Sequence, residues 1–323
     1  MHNLTSTSGF LLLEFSQVRE LQILHFFVFL GLYLITVIGN LLIIFVIALD
    51  HHLHTPMYFF LMNLAISDIG SVSVIQPKSM VNSIMNNSHI SYAECVTQVF
   101  FLFLFGCSDF TVLTIMAHDR YVAICNPLQY EVIMKKGACI QMSTIAWITS
   151  ILYAVLHTAG TFSITFCSNR VDQFFCEVPQ LLKLSCSDLY LVEVGILVFS
   201  CISAFGCFVY IIVTYVWIMT AVLKMPSEQG RKKALSTCLP HLLVVSVLLS
   251  TGFFANIRPP SNSSSGLNLI FSVIYTILPP MLNPFIYSMR NKEIQAALWK
   301  QLNFKQFPDT FPRFILKCLD FLL

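Results

Sequence analysis

Seven stretches of roughly 20 residues or more run along this chain almost without charge, and their length constrains the fold more than any other feature. They cover residues 24–49, 57–79, 95–120, 138–162, 192–223, 234–257 and 267–289. A helix rising about 1.5 Å per residue crosses the hydrocarbon of a bilayer with about 20 residues. Strands of a membrane barrel would be about half as long and would alternate apolar with polar residues; these stretches do not alternate. Composition agrees: 56% of residues are hydrophobic, 11% are charged and mean hydropathy is +0.76. A soluble domain carries about 25% charged residues, so a water-soluble enzyme is excluded, and so is a disordered chain. A net charge of +2 implies no face for nucleic acid. The reading is an all-α membrane protein, a seven-transmembrane helix bundle in contact with lipid.

Seven spans put the termini on opposite sides. One side would hold Arg120, Lys135, Lys136, Lys224, Arg231, Lys232, Lys233, Arg290, Lys292, Lys300, Lys305, Arg313 and Lys317. The other would hold Arg19, Lys78, Arg170, Lys183 and Arg258. Thirteen cations against five place the N-terminus outside and the C-terminus in the cytoplasm. No cleavable signal peptide is visible, and the first apolar run is long enough to stay as an anchor. The acceptor triplets at Asn3, Asn86 and Asn262 all fall outside, with Asn3 the expected glycosylation site. Cys95, Cys167, Cys176 and Cys186 also fall outside, where disulfides persist, and four cysteines allow three pairings. After the last span, Ile294, Ala297, Leu298 and Leu302 share one face, so residues 291–302 read as a short amphipathic helix on the inner leaflet. The membrane domain is therefore 1–303, with a cytoplasmic tail at 304–323 that carries Cys318, a residue open to palmitoylation.

Charges inside a bilayer are costly and mark function. Asp68 and Asp109 each lie about 15–17 Å from the cytoplasmic edge, counting 1.5 Å per residue, and so share one layer. Two carboxylates at one depth share a proton or a cation. Sodium suits hard oxygen ligands, to which Asn283 or Ser67 can add. The alternative is two separately hydrogen-bonded, protonated acids. His157 and His241 read as packing residues on their own, and His51, His52 and His54 lack the acids or thiols of a metal site. No phosphate-binding loop, nucleophile elbow or zinc-protease motif is present, and span 7 has no lysine for a Schiff base, so no enzyme is expected.

The motifs converge on one family. Met116-Ala117-His118-Asp119-Arg120-Tyr121-Val122-Ala123-Ile124-Cys125-Asn126-Pro127-Leu128 resembles the vertebrate olfactory receptor signature, a branch of the rhodopsin-like (class A) G-protein-coupled receptors. Pro56-Met57-Tyr58-Phe59-Phe60-Leu61 with Asp68, Lys233-Ala234-Leu235-Ser236-Thr237-Cys238 with His241, Gly39-Asn40, and Asn283-Pro284-Phe285-Ile286-Tyr287 are similar to the same family. The resemblance covers about residues 10–303. It implies the disulfides Cys95–Cys176 and Cys167–Cys186, and it maps Asp68 and Asp109 onto the family's acidic pair, in which the second position is more often Glu. His118 stands where the family usually has Tyr, and Leu249-Ser250-Thr251 and Asn256 depart from its span-6 pattern.

That resemblance implies a receptor for small, mostly neutral volatile odorants, which activates a stimulatory olfactory-type G protein and raises cyclic AMP. Trafficking chaperones and the cilia of olfactory neurons are the implied partners and location. The expected pocket lies in the outer halves of the bundle and is lined by Leu102, Phe103, Gly106, Cys107, Phe199, Ser203, Leu249, Gly252, Phe253, Asn256, Val273 and Thr276. The residue seven after Cys95 is Leu102 rather than an acid, so no ammonium partner stands at that level of span 3. The expected coupling and switch residues are Asp119, Arg120, Tyr121, Tyr215, His241, Asn283, Pro284 and Tyr287. No cofactor is expected beyond a sodium ion at Asp68 and Asp109. The alternatives are an ion or proton carrier that uses those two acids, and a chemosensory receptor outside olfactory tissue.

Overall fold

Backbone N–H and C=O groups find no water in hydrocarbon, so each apolar run must satisfy them internally as helix. The computed structural model describes residues 9–85, 87–256 and 265–302. It contains seven long helices: span 1 (Arg19–Leu49), span 2 (Pro56–Met85), span 3 (Tyr92–Cys125), span 4 (Lys136–Phe162), span 5 (Tyr190–Lys224), span 6 (Glu228–Asn256) and span 7 (Ser265–Arg290). All seven are long and apolar enough to cross a membrane. A further helix, Lys292–Leu302, follows span 7. The helices outrun the hydropathy boundaries because helical backbone continues into the polar layers; span 6, expected from residue 234, begins at Glu228.

Span 3 is the central strut and packs against spans 2, 4, 5 and 6. Span 6 leans mainly on span 7 and touches span 5 only thinly. Large side chains such as Phe60, Leu61, Leu64, Leu113 and Met116 are buried among the inner halves of the spans. Span 5 turns Ile202, Phe205 and Trp217 outward, each more than half exposed, as a lipid-facing surface requires. The apolar face of the last helix is turned into the bundle: Ile294 and Ala297 are buried against its inner core. That helix is anchored by Tyr58, whose hydroxyl donates to Glu293 Oε2 at 2.7 Å and accepts from Asn291 Nδ2 at 2.8 Å. Asp50, between spans 1 and 2, lies 3.8 Å from Lys300 of the same helix. The His52 N–H, more than Lys300, holds its carboxyl below the usual carboxylate range.

The end that carries the disulfides also holds the only strands among the described residues. Strand β1 (Gly9–Leu11) pairs antiparallel with β2 (His89–Ser91), Phe10 opposite Ile90. Three-residue strands are too short to show a period of two, and the helical reading of the sequence did not anticipate them. Ser91 then starts span 3 with a capping box: its hydroxyl accepts from Glu94 N, and Glu94 Oε2 accepts from Ser91 N. Two disulfides join Cys95 to Cys176 and Cys167 to Cys186. Asn3, Asn86, Asn262, Cys318 and the tail from residue 304 lie outside the described residues.

Candidate functional site

Beneath the loop between spans 4 and 5 lies a cavity of about 290 Å³. Leu102, Phe103, Gly106 and Asp109 line it from span 3, Ser71 and Ile75 from span 2, Leu248 from span 6, and Tyr275 and Thr276 from span 7. Phe175, Cys176, Glu177, Val178 and Pro179 complete the lining from the loop. The loop is carried over the helices by specific bonds. Cys95–Cys176 ties it to the outer end of span 3. Gln98 accepts from the Cys176 N–H at 2.7 Å and donates to the Val74 carbonyl at 3.2 Å, joining roof, span 3 and span 2. Gln173 donates to Ser272 Oγ at 2.6 Å and to Glu177 Oε2 at 3.2 Å. The Tyr275 hydroxyl donates to Glu177 Oε1 at 2.7 Å.

Of the residues expected in a pocket, Leu102, Phe103, Gly106 and Thr276 line this cavity. Cys107 is one residue round the helix from Gly106, beside Thr111. Leu249 packs on the inner core, and its neighbour Leu248 takes the lining place. Val273 packs with Phe174 and Phe175. Phe199 and Ser203 are corrections: both are exposed on the outward face of span 5, with Phe199 at 60%. Span 5 is apolar on every side, so hydropathy carries no signal for its rotation about its own axis. Gly252, Phe253 and Asn256 are described as backbone of span 6 only. Glu177, Tyr275 and Phe175 were missed. A signal existed for Glu177: it follows a cysteine able to bridge to span 3, which pulls the next residue over the bundle.

Behind Phe103 stands a second unanticipated group. His157 of span 4 stacks on the Phe103 ring at 4.0 Å. Its Nδ1 lies 2.6 Å from Glu193 Oε1, and its Nε2 lies 2.8 Å from Ser200 Oγ, both on span 5. His157 and Glu193 are fully buried. His157 is thus a packing residue, as expected, and also a polar tie between spans 4 and 5.

Below the cavity, Asn283 Nδ2 donates to both carboxylate oxygens of Asp68, at 3.1 and 2.9 Å. Ser67 Oγ donates to the Phe105 carbonyl, one turn from Asp109, which sets spans 2 and 3 face to face at this layer. Asp109 Oδ1 is buried without a hydrogen-bond partner among the described residues. Hard oxygen ligands from two acids fit a small cation, or a shared proton, at this layer. No group of three or more His, Cys, Asp or Glu gathers among the described residues.

At the inner end of span 3, Asp119 pairs with Arg120 and accepts from the Tyr130 hydroxyl at 2.8 Å. Burial, then the Asp119 charge, pushes the Tyr130 hydroxyl far above the ordinary phenol range, so it stays a donor. His241 Nε2 lies 2.9 Å from the Leu113 carbonyl, and its Nδ1 lies 2.8 Å from the Tyr215 hydroxyl. A carbonyl only accepts, so Nε2 carries the proton and Tyr215 donates to Nδ1. One imidazole thereby joins spans 3, 5 and 6. Tyr121 packs on Trp217. Tyr287 is fully buried, and its hydroxyl has no partner among the described residues. Pro284 lies against Gly39 of span 1, where a Cβ would come within 3.1 Å of it.

The chain is similar to known proteins along nearly its whole length. The profile of the family described as "Olfactory receptor" matches residues 29–305. The human protein Olfactory receptor 14A16 is 50% identical over 299 residues, covering 92% of this chain and 96% of that protein. Human Olfactory receptor 14J1 is 48% identical over 309 residues, covering 95% and 96%. Among solved structures, squid rhodopsin superposes with a TM-score of 0.72 over 94% of each chain at 18% identity, a likeness of fold.

Proposed function

Since this chain belongs to the olfactory receptor family and is a multi-pass membrane receptor rather than an enzyme, we propose that it binds small, mostly neutral volatile odorants in the cavity under the loop and activates a stimulatory olfactory-type G protein that raises cyclic AMP. One observation carries this reading. Span 3 lines the cavity with Leu102, Phe103, Gly106 and Asp109 and, on the same continuous helix, presents Asp119 and Arg120 at its inner end. Occupancy of the cavity and release of Arg120 are thus coupled through one rigid element and its neighbours.

The cavity is at the small end of the roughly 300–1,000 Å³ range of small-molecule sites, which suits a volatile. Apolar burial yields about 25 cal/mol per Å², so a ligand of that size binds only moderately once association costs are met. Activation is a population shift: the ligand must favour the arrangement in which Arg120 leaves Asp119. Span 6 is the mobile candidate, because its tie to spans 3 and 5 passes through His241 and its contact with span 5 is thin. Its internal Pro240 supplies a kink point. Asp68 and Asp109 would hold a sodium ion or proton, whose charge balances the two carboxylates and biases the bundle. In cells, plasma-membrane display in olfactory cilia with the help of trafficking chaperones completes the reading.

The test is cyclic AMP in cells that co-express an olfactory G protein and a trafficking chaperone, with surface display measured in parallel. A dose-dependent response to volatiles that Arg120→Ala abolishes at equal surface display supports the reading; an intact response in Arg120→Ala overturns the mechanism.

A further inference from the structure

The polar lining of the cavity is one-sided. Three side-chain hydroxyls line it, and each is engaged. Ser71 Oγ donates to the Asp68 carbonyl at 2.9 Å, Thr276 Oγ1 to the Ser272 carbonyl at 2.7 Å, and the Tyr275 hydroxyl to Glu177 at 2.7 Å. The N–H of Cys176, in the roof, is given to Gln98. No Lys, Arg or His lines the cavity among the described residues. Among the lining side chains, what remains toward the ligand are acceptors, and the foremost is Glu177.

A carboxylate offers about four lone-pair positions. Glu177 uses one on each oxygen: Tyr275 on Oε1 and Gln173 on Oε2. Those two bonds fix its orientation from opposite partners, one on span 7 and one in the loop, and leave capacity on both oxygens for a further donor. We infer that this cavity selects odorants that present an O–H or N–H donor on a small apolar body, with Glu177 as the specificity-determining acceptor. This rests on the odorant-receptor reading and deepens it. Alcohols and amines share the required chemistry. Aldehydes and ethers bring only acceptors, as do carboxylic acids in the ionised form they take at pH 7, and they would bury those acceptors against a carboxylate and engaged hydroxyls. The Asp109 oxygen at the cavity floor belongs to the acidic pair, and the selection does not depend on it.

The probes are matched on one skeleton: heptanol, heptylamine, heptanal, heptyl methyl ether and heptanoic acid, with the corresponding benzyl compounds. Cyclic AMP is read against surface display in cells expressing the full chain. The expected result is that agonists fall among the alcohols and amines, and that Glu177→Gln raises their half-maximal concentration about tenfold or more, amines above alcohols, because a charge-assisted bond is lost. Tyr275→Phe keeps the carboxylate and therefore keeps the order of preference. The ranking in the unaltered receptor needs no variant to fold. An aldehyde, ether or acid that matches or exceeds its alcohol overturns the inference, as does an unchanged alcohol and amine response in Glu177→Gln. Silence across the panel, with basal cyclic AMP that Arg120→Ala abolishes, overturns the ligand class and leaves the receptor reading standing. Silence with no Arg120-dependent basal signal counts against the receptor reading, and the inference falls with it.

Discussion

Asn40 of span 1 donates its side-chain amide to the Pro280 carbonyl of span 7 at 3.1 Å. The chemistry behind this bond is local. Pro284 has no N–H, so the carbonyl four residues before it loses its helical donor. Asn40 supplies the missing one across the helix interface and gives its amide also to Thr36 O at 3.0 Å. Gly39, beside it, leaves room for the Pro284 ring. Asn40→Ala is expected to cost about 1–3 kcal/mol through an orphaned buried carbonyl. Asn40→Asp should do no better, since a carboxylate has no donor. Thermal unfolding of the detergent-purified receptor checks this; an unchanged midpoint in Asn40→Ala would remove the role.

The bonds on Asp119 predict a graded series in basal signalling. Asp119→Asn frees Arg120 and should raise ligand-independent cyclic AMP several-fold. Tyr130→Phe removes one donor from Asp119 and should raise it less. Because the Tyr130 hydroxyl is held above the ordinary phenol range, its bond is intact below that range and weakens only as pH rises beyond it. Basal cyclic AMP in permeabilised cells should therefore show no rise tied to Tyr130 between about pH 7 and 9; a rise that Tyr130→Phe abolishes would contradict this.

His157 and Glu193 should be strongly non-additive. Removing one partner leaves the other polar group buried and costs about 3–5 kcal/mol. Glu193→Leu and His157→Leu should each depress thermal stability and surface display, and the double variant should recover part of the loss. Strict additivity in a double-mutant cycle would show that the pair is not coupled.

Two glycines on facing helices should respond in opposite ways. A Cβ on Gly70 would overlap the Phe105 ring, while one on Gly106 would meet nothing within 4 Å. Gly70→Ala should lower surface display. Gly106→Ala should fold normally, and Gly106→Leu should fill the cavity and abolish the agonist response at normal display. An intact response in Gly106→Leu would move the ligand elsewhere.

Tyr287→Phe removes a buried hydroxyl that has no partner among the described residues. An unsatisfied buried group costs about 1–3 kcal/mol, so this variant should raise the melting midpoint of the ligand-free receptor or leave it unchanged. A clear fall would show that the hydroxyl is satisfied in solution, through water.

Much of the architecture was legible before any coordinates. The seven apolar runs correspond to the seven helices; Ile294 and Ala297, read as a face on the inner leaflet, are buried against the bundle instead. The disulfides Cys95–Cys176 and Cys167–Cys186 are those the family resemblance implied, although the cysteines alone left three pairings open. Asn283 was named beside the acidic pair and is bonded to Asp68. The site was less legible. Phe199 and Ser203 were expected inside and face outward. Glu177, Glu193 and Tyr275 carry the polar contacts of the outer half and drew no attention, since two of them lie in or beside an irregular loop.

What the sequence determined alone is which segments cross the hydrocarbon and which way the chain runs. Those costs are paid residue by residue: a charge in lipid is unfavourable wherever it lies in the fold, and apolar length is additive along the chain. Tertiary structure decided how each helix is rotated, where the loop over the cavity rests and which buried polar groups meet. In a membrane both faces of a helix can be apolar, so rotation leaves little mark on hydropathy; small residues, prolines and cross-helix hydrogen bonds set it instead. Glu177 on Tyr275 and His157 on Glu193 are such bonds, made between residues 98 and 36 positions apart.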